Sequence, residues 1–140
     1  MKIVVALDGS AYSSKVARYI VKFVGQLKGH PAITLLFVDE PLLPQAARAL
    51  GPAFMKNYYQ SDFTNALKSA RSALKRAGIP HDEALRIGKA GETIADFARK
   101  QGFDLVVMGS HGFGALQGLF VGSVTTRVLA LSSVPVLVVR

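Results

Sequence analysis

The sequence predicts an α/β fold: a doubly wound sheet of five parallel strands with helices on both faces, Rossmann-like in its wrapping. Three observations carry this. Residues 2–7, 32–38, 104–108 and 134–139 form nearly unbroken apolar runs, the pattern of strands buried on both faces. Amphipathic stretches with helical spacing stand between strands. Strand and helix alternate strictly, which builds a parallel sheet through crossover helices. The 140 residues suit one domain spanning 1–140, since domains commonly run to about 100–150 residues.

The first strand, residues 2–7, is closed by Asp8-Gly9-Ser10. A helix is expected from Ala11, with Val16, Ala17, Ile20, Phe23, Val24 and Leu27 on its apolar face and Ser10 or Ser13 as its cap. Gly29 and Pro31 punctuate its end. The second strand, 32–38, stops at Asp39-Glu40-Pro41. Residues 41–56 carry prolines at 41, 44 and 52 and read as a loop with a short helical turn over 45–50; a loop of that length is functional or mobile. A long helix follows from Tyr58 to Ala77 and ends at Gly78-Ile79-Pro80. Residues 81–87 form a weaker strand whose charges suit a sheet edge. Glu92 to Lys100 is a short helix, acidic at its start and basic at its end as the helix dipole favours. The fourth strand, 104–108, runs into a glycine-rich loop from Gly109 to Gly122. The fourth helix starts near Ser123, and 134–139 is the last strand. Two doubly wound orders fit, 3-2-1-4-5 and 2-1-3-4-5, and both place ligands at the carboxyl ends of the strands beside the switch point.

Composition excludes several classes of function. With no cysteine, disulfides, zinc–thiolate sites, iron–sulfur clusters and thiol nucleophiles are ruled out. His30, His81 and His111 lie far apart in sequence and do not suggest a metal cage. No apolar run approaches the ~18 residues of a membrane helix, and the first seven residues are too short for a secretory signal. A cytoplasmic protein without membrane contact is expected. The net charge is +8, from 17 Lys and Arg against 9 Asp and Glu. These cations recur singly, as at Lys15, Arg18 and Lys22 or Lys68, Arg71 and Lys75. This pattern describes a solvated positive surface better than a nucleic-acid footprint, although it would still concentrate anionic ligands.

Chemistry is concentrated in the glycine loop. Gly109, Gly112, Gly114, Gly118 and Gly122 crowd the segment between strand four and helix four. Glycine lets backbone N–H groups approach a ligand closely, and such groups leading into a helix N-terminus make an anion site. The Walker A pattern is absent. Gly112-x-Gly114-x3-Gly118 misses the dinucleotide fingerprint by one residue and follows the wrong strand. His111 could donate to a phosphate, but no carboxylate is placed to make it a base. Asp8 at a strand end can accept from an amino group or a ribose hydroxyl, or serve simply as a turn residue. Ser10 and Ser13 suit capping better than nucleophilic work. Tyr58 and Tyr59 could stack on a base, but suit helix packing better.

The spacing Gly109-x2-Gly112-x9-Gly122-Ser123, with Val5-Ala6-Leu7-Asp8-Gly9-Ser10-x2-Ser13, Phe37-Val38-Asp39, the segment 104–112 and the finish 134–139, resembles the universal stress protein family along the whole chain. The resemblance implies the order 3-2-1-4-5 and a homodimer paired through the last strand, here 136–139. Members with the full glycine motif bind ATP, AMP or another adenine nucleotide, and this chain has the motif. Carried over by position, Asp8 and the backbone of Val38 would hold the adenosine end. Gly109, Gly112, Gly122, Ser123 and Val124 would wrap ribose and phosphates, with His111 beside them, and Ala6 and Met108 would line the pocket. A bound triphosphate would bring magnesium. Residues 40–60 match a variable region and transfer nothing. The implied role is stress response or signalling through nucleotide-dependent conformation or partner binding. A slow ATPase or phosphotransferase is the alternative. It is disfavoured because residues 109–123 hold no Lys or Arg, whereas phosphoryl transfer relies on cation clamps. A polyanion-binding protein ranks third, since no recognition motif is visible.

Overall fold

The computed structural model describes residues 1–112 and 121–140. The elements are β1 (Lys2–Ala6), α1 (Ala11–Gln26), β2 (Ala32–Asp39), α2 (Pro44–Arg76), β3 (His81–Ile87), α3 (Ala90–Lys100), β4 (Leu105–Gly109), α4 (Ser123–Leu131) and β5 (Val136–Val139). The five strands form one sheet in the order β3-β2-β1-β4-β5. All pairings are parallel: Val4 of β1 lies opposite Thr34 of β2 on one side and Val106 of β4 on the other. Of the two orders the sequence left open, this is the one the family resemblance implied.

Alternation along β1 divides the core between the two faces, because successive strand side chains point to opposite sides. Ile3, Val5 and Leu7 pack with Val16 and Ile20 of α1 and with Leu67, Ala70 and Leu74 of α2. Val4 and Ala6 pack with Ile94 and Phe97 of α3 and Val128 of α4. The central strand is apolar on both faces for this reason. β3, at one edge, is largely solvent-facing, as its charges predicted. Arg71 of α2 ties it down through a two-pronged bond to Glu83, at 2.6 and 2.7 Å.

One expectation fails. Of residues 41–56 only 41–43 are irregular; the expected helical turn over 45–50 is present, but it belongs to a chain that is helical from Pro44 onward. The prolines and glycine that argued against a helix instead mark the junction of two. Pro44 opens the first helix, where its missing N–H is no loss. Gly51 then leaves helical geometry at φ 78°, ψ 162°, a conformation glycine adopts without penalty, and Pro52 restarts the helix in the same way. All the buried residues of α2, Ala66, Leu67, Ala70 and Leu74, lie beyond this break.

Capping at α1 also differs from expectation. Ser10 occupies the cap position, but its side chain makes no cap bond. Ser13 points back to the turn before the helix. Its hydroxyl accepts from the backbone N–H groups of Asp8 and Gly9 at 3.0 and 2.9 Å and donates to Asp8 Oδ1 at 2.9 Å.

Candidate functional site

The carboxyl ends of β1, β2 and β4 open onto a cavity of about 670 Å³. It lies at the switch point, where crossovers from the central strand leave in opposite directions. Its volume falls in the range of small-molecule pockets, about 300–1,000 Å³.

The β1–α1 turn supplies Asp8. Asp8 Oδ1 is held by Ser13 Oγ and by the Ser10 N–H, both at 2.9 Å. Its Oδ2 is turned toward the glycine loop, where a Cβ on Gly112 would collide with it. Gly9, at φ 84°, brings α2 against this turn; a Cβ there would lie 2.9 Å from the Ala66 Cα. That close approach carries Asp62 and Asn65 of α2 to the cavity.

The end of β4 and the start of α4 form the opposite wall. Thr125 Oγ1, buried, donates to the Gly109 carbonyl at 2.8 Å, and the Gly122 N–H donates to the Ser110 carbonyl at 2.7 Å. These bonds fix the N-terminus of α4 beside the strand end. A Cβ on Gly122 would sit 3.3 Å from the His111 Cα and from the Ser110 carbonyl oxygen, so the backbones touch where a side chain would hold them apart. No side chain caps α4, and its first-turn N–H groups lack intrahelical acceptors. Ser123 is the first residue of the helix, not its cap. His111 Nδ1 lies 3.0 Å from Ser110 Oγ, and its ring packs against Tyr12 with centroids 5.3 Å apart.

Ala6, Leu36, Val38, Ile94 and Met108 give the cavity an apolar floor. Asp39, Glu40 and Asp62 also line it. Asp39 Oδ2 is buried and has no hydrogen-bond partner among the described residues. Burial, with the Asp62 carboxylate beside it, pushes the Asp39 carboxyl above its ordinary range. Among the described residues, no group of three or more His, Asp or Glu is arranged to hold a metal ion.

All ten residues singled out from the sequence line this one cavity: Ala6, Asp8, Val38, Met108, Gly109, His111, Gly112, Gly122, Ser123 and Val124. Gly114 and Gly118 fall outside the described residues. Tyr58 and Tyr59 meet edge-on, with centroids 5.5 Å apart, and do not line the cavity. Tyr59 instead accepts the Leu42 N–H on its hydroxyl at 3.2 Å. Sequence reasoning missed Tyr12, Asp62, Asn65 and Thr125 as lining residues. Tyr12 and Thr125 each stand within four residues of a named site residue, and proximity could have found them. Asp62 and Asn65 carry no local signal. None of the helices among the described residues is long and apolar enough to cross a membrane.

Comparison with known proteins agrees with this architecture. The chain matches the model of the universal stress protein family over residues 1–140. It is 32% identical over 139 residues to the universal stress protein in the QAH/OAS sulfhydrylase 3′ region of Thermus aquaticus, covering 99% of this chain and 97% of that one. Among solved structures it is similar to MJ0577 of Methanocaldococcus jannaschii, at a TM-score of 0.80 and 26% identity over 99% of this chain and 94% of the other. It shares its fold with the Archaeoglobus fulgidus universal stress protein solved in complex with dAMP, at a TM-score of 0.67 and 24% identity over 100% of this chain and 98% of that one. The sheet order, the switch-point cavity and this end-to-end match converge: the chain belongs to the universal stress protein family.

Proposed function

We propose that the cavity binds an adenine nucleotide and that the protein acts through that binding, in stress response or signalling, by changing conformation or partner. The observation that carries this reading is the close approach of the Gly109–Gly112 turn to Gly122 and the start of α4. A Cβ at Gly112 or Gly122 would collide or crowd there, and uncapped helix N–H groups end at the same wall. This is an anion cradle for a phosphate. The apolar floor suits a flat base, and Asp8 Oδ2 and the Val38 backbone stand where the base amino group or ribose would be read. That the same fold holds dAMP in a family member supports the assignment. Magnesium, where a triphosphate is bound, would be held chiefly by the phosphates, given the absence of a three-ligand cluster among the described residues.

The test is to denature protein purified without added nucleotide and identify the released small molecules by mass spectrometry, followed by calorimetric titration. Release of an adenine nucleotide, or saturable heat on titration, supports the reading. An empty supernatant together with a flat titration at millimolar ligand overturns it.

We also propose a homodimer built on β5, within a single domain spanning residues 1–140. β5 is an edge strand, and Val136, Leu137 and Val138 remain half-buried on it, an apolar edge that invites pairing. Light scattering should give about twice the 15.0 kDa of one chain; a monomer at micromolar concentration would overturn the pairing.

A further inference from the structure

Charge is divided unevenly between the two helical layers. α1 and α2 pack against each other on one face of the sheet, with Val16, Ile20, Leu67, Ala70 and Leu74 in the same core. α1 carries Lys15, Arg18 and Lys22 and no acid. α2 carries six lysines and arginines against one acid, Asp62, which lines the cavity. No Asp or Glu occurs from Gly9 to Val38 or from Phe63 to His81. The opposite layer is balanced. Arg127 pairs with Glu92 at 2.9 Å, and Arg99 and Lys100 pair with Asp96 at 2.6 and 2.7 Å. Cations that recur singly in the sequence are thus gathered by the fold onto one side.

Their spacing makes them one surface. Ser13, Val16, Ala17 and Ile20 are the buried residues of α1. Lys15, Arg18 and Lys22 follow at i, i+3 and i+7 on the opposite, exposed side. α2 repeats that spacing at Lys68, Arg71 and Lys75, while Ala66, Leu67, Ala70 and Leu74 are buried. Arg71 is tied to Glu83. Lys15, Arg18, Lys22, Lys68 and Lys75 form no ion pair among the described residues. Phe54 stands two heptads before Lys68 on the part of α2 beyond Gly51, so it falls on the same outward ridge. Its side is half open to solvent, at 51%.

We propose that this outer side of α1 and α2 docks on an anionic lipid bilayer, through the charge of its cations and insertion of the Phe54 ring. The contact is peripheral and crosses nothing. It departs from the expectation of no membrane contact, and it stands independently of the nucleotide reading. An array of unpaired cations calls for a polyanion. Two features favour lipid over nucleic acid. Four of the five unpaired cations are lysines, hydrated point charges that suit mobile headgroups, whereas arginine forks suit fixed phosphates. An exposed apolar ring gains nothing from a duplex phosphate backbone, but it enters the boundary between headgroups and acyl chains.

The experiment is co-sedimentation of the purified protein with vesicles of phosphatidylcholine alone or with about 30% phosphatidylserine, at low and high salt. The variants K22E/K75E, F54S and R99E/K100E are tested alongside, with folding checked by circular dichroism. R99E/K100E makes the same change in net charge on the other layer. The expected result is binding to the phosphatidylserine vesicles alone, lost at high salt. K22E/K75E should weaken it by about tenfold or more, and R99E/K100E should weaken it far less. F54S should lower it several-fold. Absence of binding to the anionic vesicles would overturn the proposal. Equal losses in the two charge reversals would reduce the effect to net charge and overturn the assigned face. Binding unchanged in F54S would overturn the insertion, and with it the choice of a bilayer. Labelled duplex or single-stranded DNA bound in preference to the vesicles, and lost in K22E/K75E, would give the face to nucleic acid and also overturn the proposal.

Discussion

Gly112 lies against the Asp8 carboxylate with no space for a side chain between them. Two turns far apart in sequence thus meet through one missing methyl group. Gly112→Ala must push Asp8 Oδ2 away, although Oδ1 is anchored to Ser10 and Ser13. The expected outcome is nucleotide affinity weakened by about tenfold or more, the scale of one misplaced polar contact. Titration of the variant against the parent checks this.

Gly9→Ala should act on stability. The residue sits at φ 84°, and a Cβ would lie 2.9 Å from the Ala66 backbone. Left-handed strain and the displacement of α2 together should cost about 2–3 kcal/mol. Urea unfolding measures it, and an unchanged midpoint would show that α2 does not depend on this contact.

Ser123→Ala separates the proposed ligand contact from a helix cap. A capping serine lost to alanine typically costs about 1 kcal/mol. Ser123 makes no cap bond and stands one residue inside the helix. Unfolding free energy should therefore stay within about 0.5 kcal/mol of the parent, while nucleotide affinity falls.

Asp39→Asn should stabilise the fold, and the gain should depend on pH. Burial and Asp62 raise the Asp39 pKa in the native state above its ordinary 3.8. The native state therefore binds this proton more tightly than the unfolded chain does. The cost of ionised Asp39 is absent below about pH 3.8 and complete once pH has risen through the raised native value. At pH 7 the variant should melt higher than the parent, and the advantage should fade toward pH 4. Thermal melts across that range decide the matter; a uniform gain would exclude ionisation as its cause.

Acid should also weaken the tie between α2 and β3. The Arg71 guanidinium holds the Glu83 carboxyl below its usual range. That stabilisation is present above about pH 4.5 and is lost as pH falls through the lowered native value. The pair is partly exposed, so Arg71→Ala should cost about 1 kcal/mol or less at neutral pH, and less still at pH 3.

The sheet was legible because its inner strands are buried on both sides. Val4, Val5 and Val106 have no solvent face to spend on polar residues, so they read as continuous apolar runs. The site was legible to the extent that it is backbone chemistry: Gly109, Gly112 and Gly122 leave a spacing in the sequence. The contribution of α2 to the cavity was not legible. Asp62 and Asn65 lie more than fifty residues from Asp8, on a helix surface where carboxylates and amides are ordinary. They reach the cavity because Gly9 lets α2 come within contact of the first turn, a tertiary event without local pattern. The 44–56 segment was misread because proline and glycine mark the end of one helix and the start of the next with the same letters that mark a loop.

The break at Gly51 makes the first arm of α2 a replaceable part. Residues 44–50 contribute nothing to either side of the core, and the sheet makes no demand on their length. The arm can accept insertion, deletion or exchange while the cavity walls stay in register. A peptide grafted there would ride on an intact fold. In a chain with no native cysteine, one cysteine placed in that arm would be a single handle for a reporter dye.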